Sequence, residues 1–321
     1  MRKVAVIVPV HNRRDTTLNY LKQMRHIDAG GLTLDIVIVD DGSTDGTAQA
    51  IREQYPDVVI LEGDGNLWWT GAVNKGVQYA LTKDYDGVLI MNDDLELDKG
   101  FLLHIMGVAD KNPGSLVSSV VVNKAESGEE EVIAAGFGTF GFFSEIRALY
   151  AGKQYGQVLE EVIQCDLLTG SSLLIPTNVF RSIGMFDSKD FPHNWGDFEF
   201  TQRASLSGLS CFVATKSKVY TEHNPNYPAW YFFNSSRKDY LKNLFNCTKF
   251  LYGFRGIRKT SYMHRSFVKG TLLYIYRAMS LAKRIILKLV LTREALRKYM
   301  LRKIEKTGTA THLIRKLKVS D

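Results

Sequence analysis

Cysteine is scarce in this chain. Its 321 residues include three, Cys165, Cys211 and Cys247, far apart and odd in number. No CxxC pair exists, which argues against a disulfide framework and a thiolate zinc site and suits a reducing compartment. Long apolar runs are lacking too. Nowhere do about 18 uncharged apolar residues follow one another, so no transmembrane helix is expected. The opening run, broken at Pro9, is too short for a signal-peptide core and reads better as a buried strand. There is no GxGxxG and no GxxxxGK[ST], which disfavours nicotinamide enzymes and phosphate-loop ATPases. Repeats and low-complexity tracts are also missing. What remains is a chain with 45% apolar residues, enough to bury a sizeable core.

The net charge of +7 hides an asymmetry. Residues 230–321 carry 22 Lys or Arg against Asp239, Glu294, Glu305 and Asp321, whereas residues 1–229 carry 19 basic and 30 acidic side chains. Two regions with different electrostatic roles follow. The asparagines and prolines of residues 224–228 mark the boundary. This assigns 1–228 to a catalytic domain, with a nucleotide half to about 115 and an acceptor half after it, and 229–321 to a basic helical region.

Short apolar strands are expected at residues 4–8, 35–39, 58–61 and 88–91. Helices are expected at 18–24 after Asp15 and Thr16, at 48–51 capped by Asp45, and at 71–81. Strands alternating with helices indicate a parallel, doubly wound sheet, which places ligands beyond the strands' carboxyl ends. The polar clusters His11–Asn12, Asp40–Asp41 and Asn92–Asp93–Asp94 fall at those ends. Further on, residues 117–122 and 132–140 read as a hairpin turning near Gly128. Residues 169–176 read as a strand, 177–183 as a short helix, and 198–206 as a helix ended by Gly208.

Each cluster has two readings. Asp40–Asp41 opens the loop DDGSTDGT and is either a turn with a helix cap or a carboxylate for a nucleobase or ribose. Asn92–Asp93–Asp94 is either a solvated turn or a seat for a divalent cation bridging to phosphates, where Mg2+ or Mn2+ favours oxygen ligands. Between them lies GNLWWTGAVNKG, in which Lys75 is a candidate phosphate contact. One of Trp68 and Trp69 is expected in the core, the other stacked on a sugar ring. In HNWGDFEF, Asp197 and Glu199 either complement a helix dipole or supply a general base. His223, in VYTEH, is a surface histidine or a further metal ligand.

Together VAVIVPVHNRRD, DIVIVDDGSTDGT, GVLIMNDDLEL and WGDFEFTQRASLSG resemble the family 2 glycosyltransferases, and GNLWWTGAVNKG is similar to the branch holding bacterial rhamnosyltransferases of cell-surface polysaccharide synthesis. The resemblance covers about residues 3–225. It implies a GT-A fold, with a Rossmann-like nucleotide-binding half and a mixed central sheet, and inverting transfer of a hexosyl or deoxyhexosyl group from a nucleotide-diphosphate sugar. It implies that Pro9, His11 and Asn12 line the nucleotide pocket, that Asp41 meets the nucleobase, and that Asp93 faces ribose or phosphate. Asp94 would bind Mn2+ or Mg2+, with His223 where some relatives place a metal-binding histidine. Asp197 falls at the family's catalytic base. Gly196 stands where the family has a glutamate, which leaves Glu199 as a competitor for that role.

Two alternatives stand beside this. A sugar nucleotidyltransferase would carry a glycine-rich basic loop after the first strand, where this chain has PVHNRRD. A nucleic-acid-binding protein would use the basic tail, but no nucleic-acid module is recognisable, so no nucleic acid is expected as a partner. In the tail, Leu272, Ile275, Met279, Ala282, Ile286 and Leu289 recur every three or four positions and make one helical face. Arg277, Lys283, Arg284 and Lys288 fall largely outside it. That pattern suits an anionic membrane surface, hence a cytoplasmic protein held on the inner face of the cell membrane, near a glycan or lipid-linked glycan acceptor. The other reading is a helical cap packed on the catalytic domain or on a second subunit.

Overall fold

The structure, a computed structural model, describes residues 3–124, 128–221, 235–244 and 253–292, together with 232, 294–296, 298, 299 and 302. The chain divides into two compact units, Met1–Glu222 and His223–Asp321.

The first unit begins with β1 (Lys3–Val10), α1 (Arg14–Met24), β2 (Thr33–Asp40), α2 (Thr47–Gln54), β3 (Val59–Glu62), α3 (Trp68–Leu81) and β4 (Gly87–Met91). These four strands are parallel in the order β3-β2-β1-β4. After β5 (Glu96–Leu97) and α4 (Phe101–Lys111) come β6 (Leu116–Lys124) and β7 (Glu130–Ala134), an antiparallel pair. Next are β8 (Phe137–Phe140), β9 (Glu145–Ala148), β10 (Val162–Cys165), β11 (Ser172–Pro176), α5 (Thr177–Ile183), α6 (Gly196–Leu206) and β12 (Cys211–Tyr220). β11 inserts antiparallel between β4 and β6, so the sheet is mixed. Because β11 reverses the direction twice, β6 and β12 run the same way as β4.

Strand sequences explain the layering. Side chains alternate across a strand, so β1 sends Val4, Val6, Val8 and Val10 to one face and Ala5 and Ile7 to the other. The first face is covered by Tyr20 and Leu21 of α1, Ile51 of α2 and Phe101, Leu102, Ile105 and Met106 of α4. The second is covered by Ala72, Val73 and Val77 of α3, Phe180 of α5 and Phe200 of α6. Burial on both faces is why these strands are almost continuously apolar.

Several expected boundaries move for a local reason. The expected strand over 132–140 is two strands, broken at Gly136, whose φ of 79° only glycine adopts readily; β8 then pairs with β9 in a separate hairpin. The turn residues 125–127 before Gly128 lie outside the described residues. α1 starts at Arg14, before Asp15 and Thr16, because its first amide donates to the Asp45 carboxylate (3.0 Å) from another loop. Asp45 also accepts from the Thr47 amide that opens α2 (3.0 Å). α3 starts at Trp68, three residues early, for a similar reason described below.

In the second unit the described elements are α7 (Arg237–Asn243), α8 (Phe254–Tyr262) and α9 (Phe267–Val290). Among the described residues no helix is long and apolar enough to cross a membrane.

Candidate active site

Three loops meet at the carboxyl ends of β1, β2 and β4. The first is fixed by Asn12, at φ 52°, a left-handed conformation that asparagine tolerates better than most residues. Its amide donates to Ser43 Oγ (2.8 Å) and its side-chain carbonyl accepts from the Thr44 amide (2.8 Å). His11 Nδ1 donates to the Asp41 carbonyl (2.6 Å) and Nε2 accepts from Asn12 Nδ2 (3.1 Å). His11 and Asn12 thus lock the β1 loop to the β2 loop, with both side chains exposed at the sheet edge. Pro9 lies one residue inside the strand, paired with Val39.

Asp41 is 5% exposed, and both its oxygens are engaged. Oδ1 accepts from the Gly65 amide (2.9 Å) and Oδ2 from the Trp68 amide (3.0 Å). The carboxylate therefore caps α3 from a distance and complements the positive end of the helix. Each oxygen keeps a second acceptor position. Lys75, the candidate phosphate contact, donates from Nζ to the Glu62 carbonyl at the end of β3.

The acid pair has a partner that is not among the candidates read from the sequence. Arg13 Nε lies 3.1 Å from Asp93 Oδ1, and its Nη2 lies 3.1 Å from Asp94 Oδ2. Thr17 Oγ1 donates to the other Asp93 oxygen (2.8 Å). Asp93 is buried, whereas the Asp94 side chain is 48% exposed. Burial pushes the Asp93 carboxyl above the usual carboxylate range, while Arg13 and Thr17 pull it down and the Asp94 charge pushes it up. The resulting arrangement is two hard oxygen donors with a cation already bridging them and one carboxylate open to solvent. Its charge and donor type fit a divalent cation whose other ligands come from phosphate and water. Among the described residues no three His, Cys, Asp or Glu side chains cluster, and His223 lies outside the described residues.

The acid pair is linked to Asp197 through Trp69. The indole Nε1 donates to Asn92 Oδ1 (3.0 Å), next to the acids. The same ring lies over Gly170, where a Cβ would come within 2.4 Å of Trp69 Cζ2. The Gly170 amide donates to Asp197 Oδ2 (2.9 Å) and the Phe198 amide to Oδ1 (2.9 Å). Trp69 is therefore the structural member of the tryptophan pair, and Trp68 meets His193 edge to face at 5.5 Å. Burial pushes the Asp197 carboxyl up, and the two amides pull it down. Gly196 also has its explanation: a Cβ there would lie 2.5 Å from Thr70 Oγ1, because Thr70 closes the site by bonding the Phe191 carbonyl (2.6 Å).

Glu199 stands apart from this set. It is buried and bidentate with Arg203, at 2.8 and 3.0 Å. Arg203 in turn donates to the carbonyls of Ile183 and, at 2.8 Å, Met185. The sequence holds no cue to this beyond the i, i+4 spacing of the pair.

Residues 5–157 match the model of Glycosyl transferase family 2. A hexosyltransferase of low-salt glycan biosynthesis, Agl10 from Haloferax volcanii, is 26% identical over 177 residues, 55% of this chain and 55% of that protein. An N-acetylglucosaminyl-diphospho-decaprenol L-rhamnosyltransferase from Mycobacterium tuberculosis is 25% identical over 195 residues, 56% of this chain and 63% of that one. The chain thus spans between about half and two thirds of these relatives' lengths. A solved mannosyltransferase from Pyrobaculum calidifontis, in complex with GDP-Man and Mn2+, superposes with a TM-score of 0.54 at 15% identity, covering 98% of this chain and 81% of that one. The fold is GT-A, and residues 5–157 form a glycosyl transferase family 2 domain.

Proposed function

We propose that this protein transfers a sugar from a nucleoside-diphosphate sugar to an acceptor hydroxyl. The observation that carries the reading is the run of contacts from Asn92 through Trp69 and Gly170 to Asp197. It holds an acid pair suited to a donor's charged end and a half-buried carboxylate suited to an acceptor's proton at one edge of one sheet.

In this reading Pro9, His11 and Asn12 line the nucleotide pocket, Asp41 offers its remaining lone pairs to the base, and Asp93 faces ribose or phosphate. Asp94, with His223, would hold Mn2+ or Mg2+, which supplies positive charge against the leaving diphosphate. Arg13 neutralises the acid pair before the donor arrives. Asp197 takes the proton of the acceptor hydroxyl. The acceptor oxygen bonds to the anomeric carbon as the bond to diphosphate breaks on the opposite side, so the configuration inverts. Glu199, bound to Arg203, positions α6 and takes no part in proton transfer.

The solved neighbour that holds GDP-Man and Mn2+ supports the donor class and the metal. Relatives named for hexosyl and L-rhamnosyl transfer support a hexosyl or deoxyhexosyl donor, and the decaprenol-linked acceptor in one name supports a lipid-linked glycan acceptor. We place the protein in bacterial cell-surface polysaccharide synthesis at the inner face of the membrane. The test is a panel of nucleotide sugars assayed for metal-dependent nucleotide release. Asp94→Ala should abolish release while far-UV circular dichroism is unchanged, because Asp94 lies in an exposed loop. Full activity after chelation would remove the metal from the scheme.

A further inference from the structure

α9 is amphipathic in the reverse sense to a helix packed by its apolar face. Leu272, Ile275, Tyr276, Met279, Ile286 and Leu289 are all 45% to 61% exposed. Leu273 and Leu281 face inward, and two cations go with them: Arg277 donates to Thr260 Oγ1 (2.9 Å) and Lys288 to the Phe232 carbonyl.

We infer that the outward stripe of α9 is a membrane-docking surface, lying in the interface of an anionic bilayer. Three observations select a lipid surface. The helix has 24 residues, about 35 Å at 1.5 Å per residue, so the stripe is long enough to lie along a membrane. Of its five cations Lys269 and Lys283 are exposed, Arg284 is half-buried, and Arg277 and Lys288 turn inward; the helix carries no acid. Lys269, Tyr276 and Lys283, at heptad spacing, form a column along one margin of the stripe. Lysine reaching to headgroups and tyrosine at the interface are the side chains such a margin requires. A second copy of this chain is a poor occupant, since pairing two stripes would bring lysines together with no acid on either helix. Spanning is excluded for α9 by its charge, so it lies in the surface.

The inference rests on the proposed function only in that a lipid-linked acceptor brings the enzyme to a bilayer. The experiment keeps the two apart. Full-length protein is floated with phosphatidylcholine vesicles, with and without phosphatidylglycerol, while nucleotide release is followed without vesicles. The wild type should float with the anionic vesicles. Ile275→Ser, Met279→Ser and Ile286→Ser combined should lower its partitioning by more than about 10-fold, since inserted apolar area sets the affinity. Lys269→Glu with Lys283→Glu, which leaves the stripe intact, should lower binding to anionic vesicles selectively. Nucleotide release should survive in both variants. Flotation of the serine variant equal to wild type, or failure of wild type to float, overturns the docking surface whatever the catalytic result. A wild-type dimer that the serine variant breaks, without flotation, overturns it in favour of self-association. Loss of nucleotide release in the wild type alone would instead sink the catalytic reading.

Discussion

Asp197 and Glu199 sit two residues apart on one helix and have opposite circumstances. Asp197 accepts from two backbone amides and, among the described residues, pairs with no cation, so its charge remains available for a proton. Glu199 is matched by Arg203. Asp197→Asn should lower kcat by about 10²–10⁴-fold, the usual contribution of a general base, with donor affinity nearly unchanged in equilibrium binding. Glu199→Gln should instead destabilise by about 3 kcal/mol, because it leaves the partly buried Arg203 without its counter-charge. A denaturant titration reads that loss, and activity per folded molecule should be kept. A dead but folded Glu199→Gln beside an active Asp197→Asn would reverse the roles. Burial raises the Asp197 carboxyl, so the rate should fall as pH drops through that raised value. The acid limb of kcat should lie above about 3.9, the ordinary aspartate value, and vanish in Asp197→Asn. The acids were legible in the sequence because chemistry confines such pairs to strand ends. Arg13 was not, since nothing in HNRRD distinguishes Arg13 from Arg14 or names its partner 80 residues on.

At the scale of elements, the site is held by close approach as much as by polar contact. Gly170 admits the Trp69 ring, and Trp69 carries Asn92. Gly170→Ala would set a methyl 2.4 Å from that ring. Trp69 must then shift, dislodging Asn92 and the amide that orients Asp197. Overpacking of this kind costs about 1–3 kcal/mol, so the variant should fold with a lowered Tm and a larger fall in kcat. Unchanged kcat would show that the link between the two acids carries no positional information. The strands and helices were readable from period and breakers, since alternation and glycine act locally. α5 matches its expected range of 177–183, while the starts of α1 and α3 do not, because Asp45 and Asp41 cap them from other loops. A tertiary cap leaves no signature in the helix it closes.

At the scale of the molecule, the unevenness of charge and the division of the core point to separable tasks. The two hydrophobic clusters of the first unit are built from residues 4–220, on both faces of its ten-stranded sheet. That is a complete core for a domain of this size. The second unit has its own cluster around Phe232, Tyr240, Leu281 and Leu296. A chain ending at Pro228 should therefore unfold cooperatively and still release nucleotide from its donor. Its charge, however, passes from +7 for the whole chain to 19 basic against 30 acidic residues. It would then be repelled by anionic vesicles rather than drawn to them. Full-length protein should bind such vesicles less tightly as salt rises, because counter-charge screens its lysines. Some binding should persist at high salt, since the apolar stripe is not screened. The shortened chain should show no binding at any salt. If the shortened chain floats as well as the full one, the acidic unit itself meets the membrane and the basic region serves another purpose. If it precipitates on purification, the first unit needs the second to fold and the division of tasks fails.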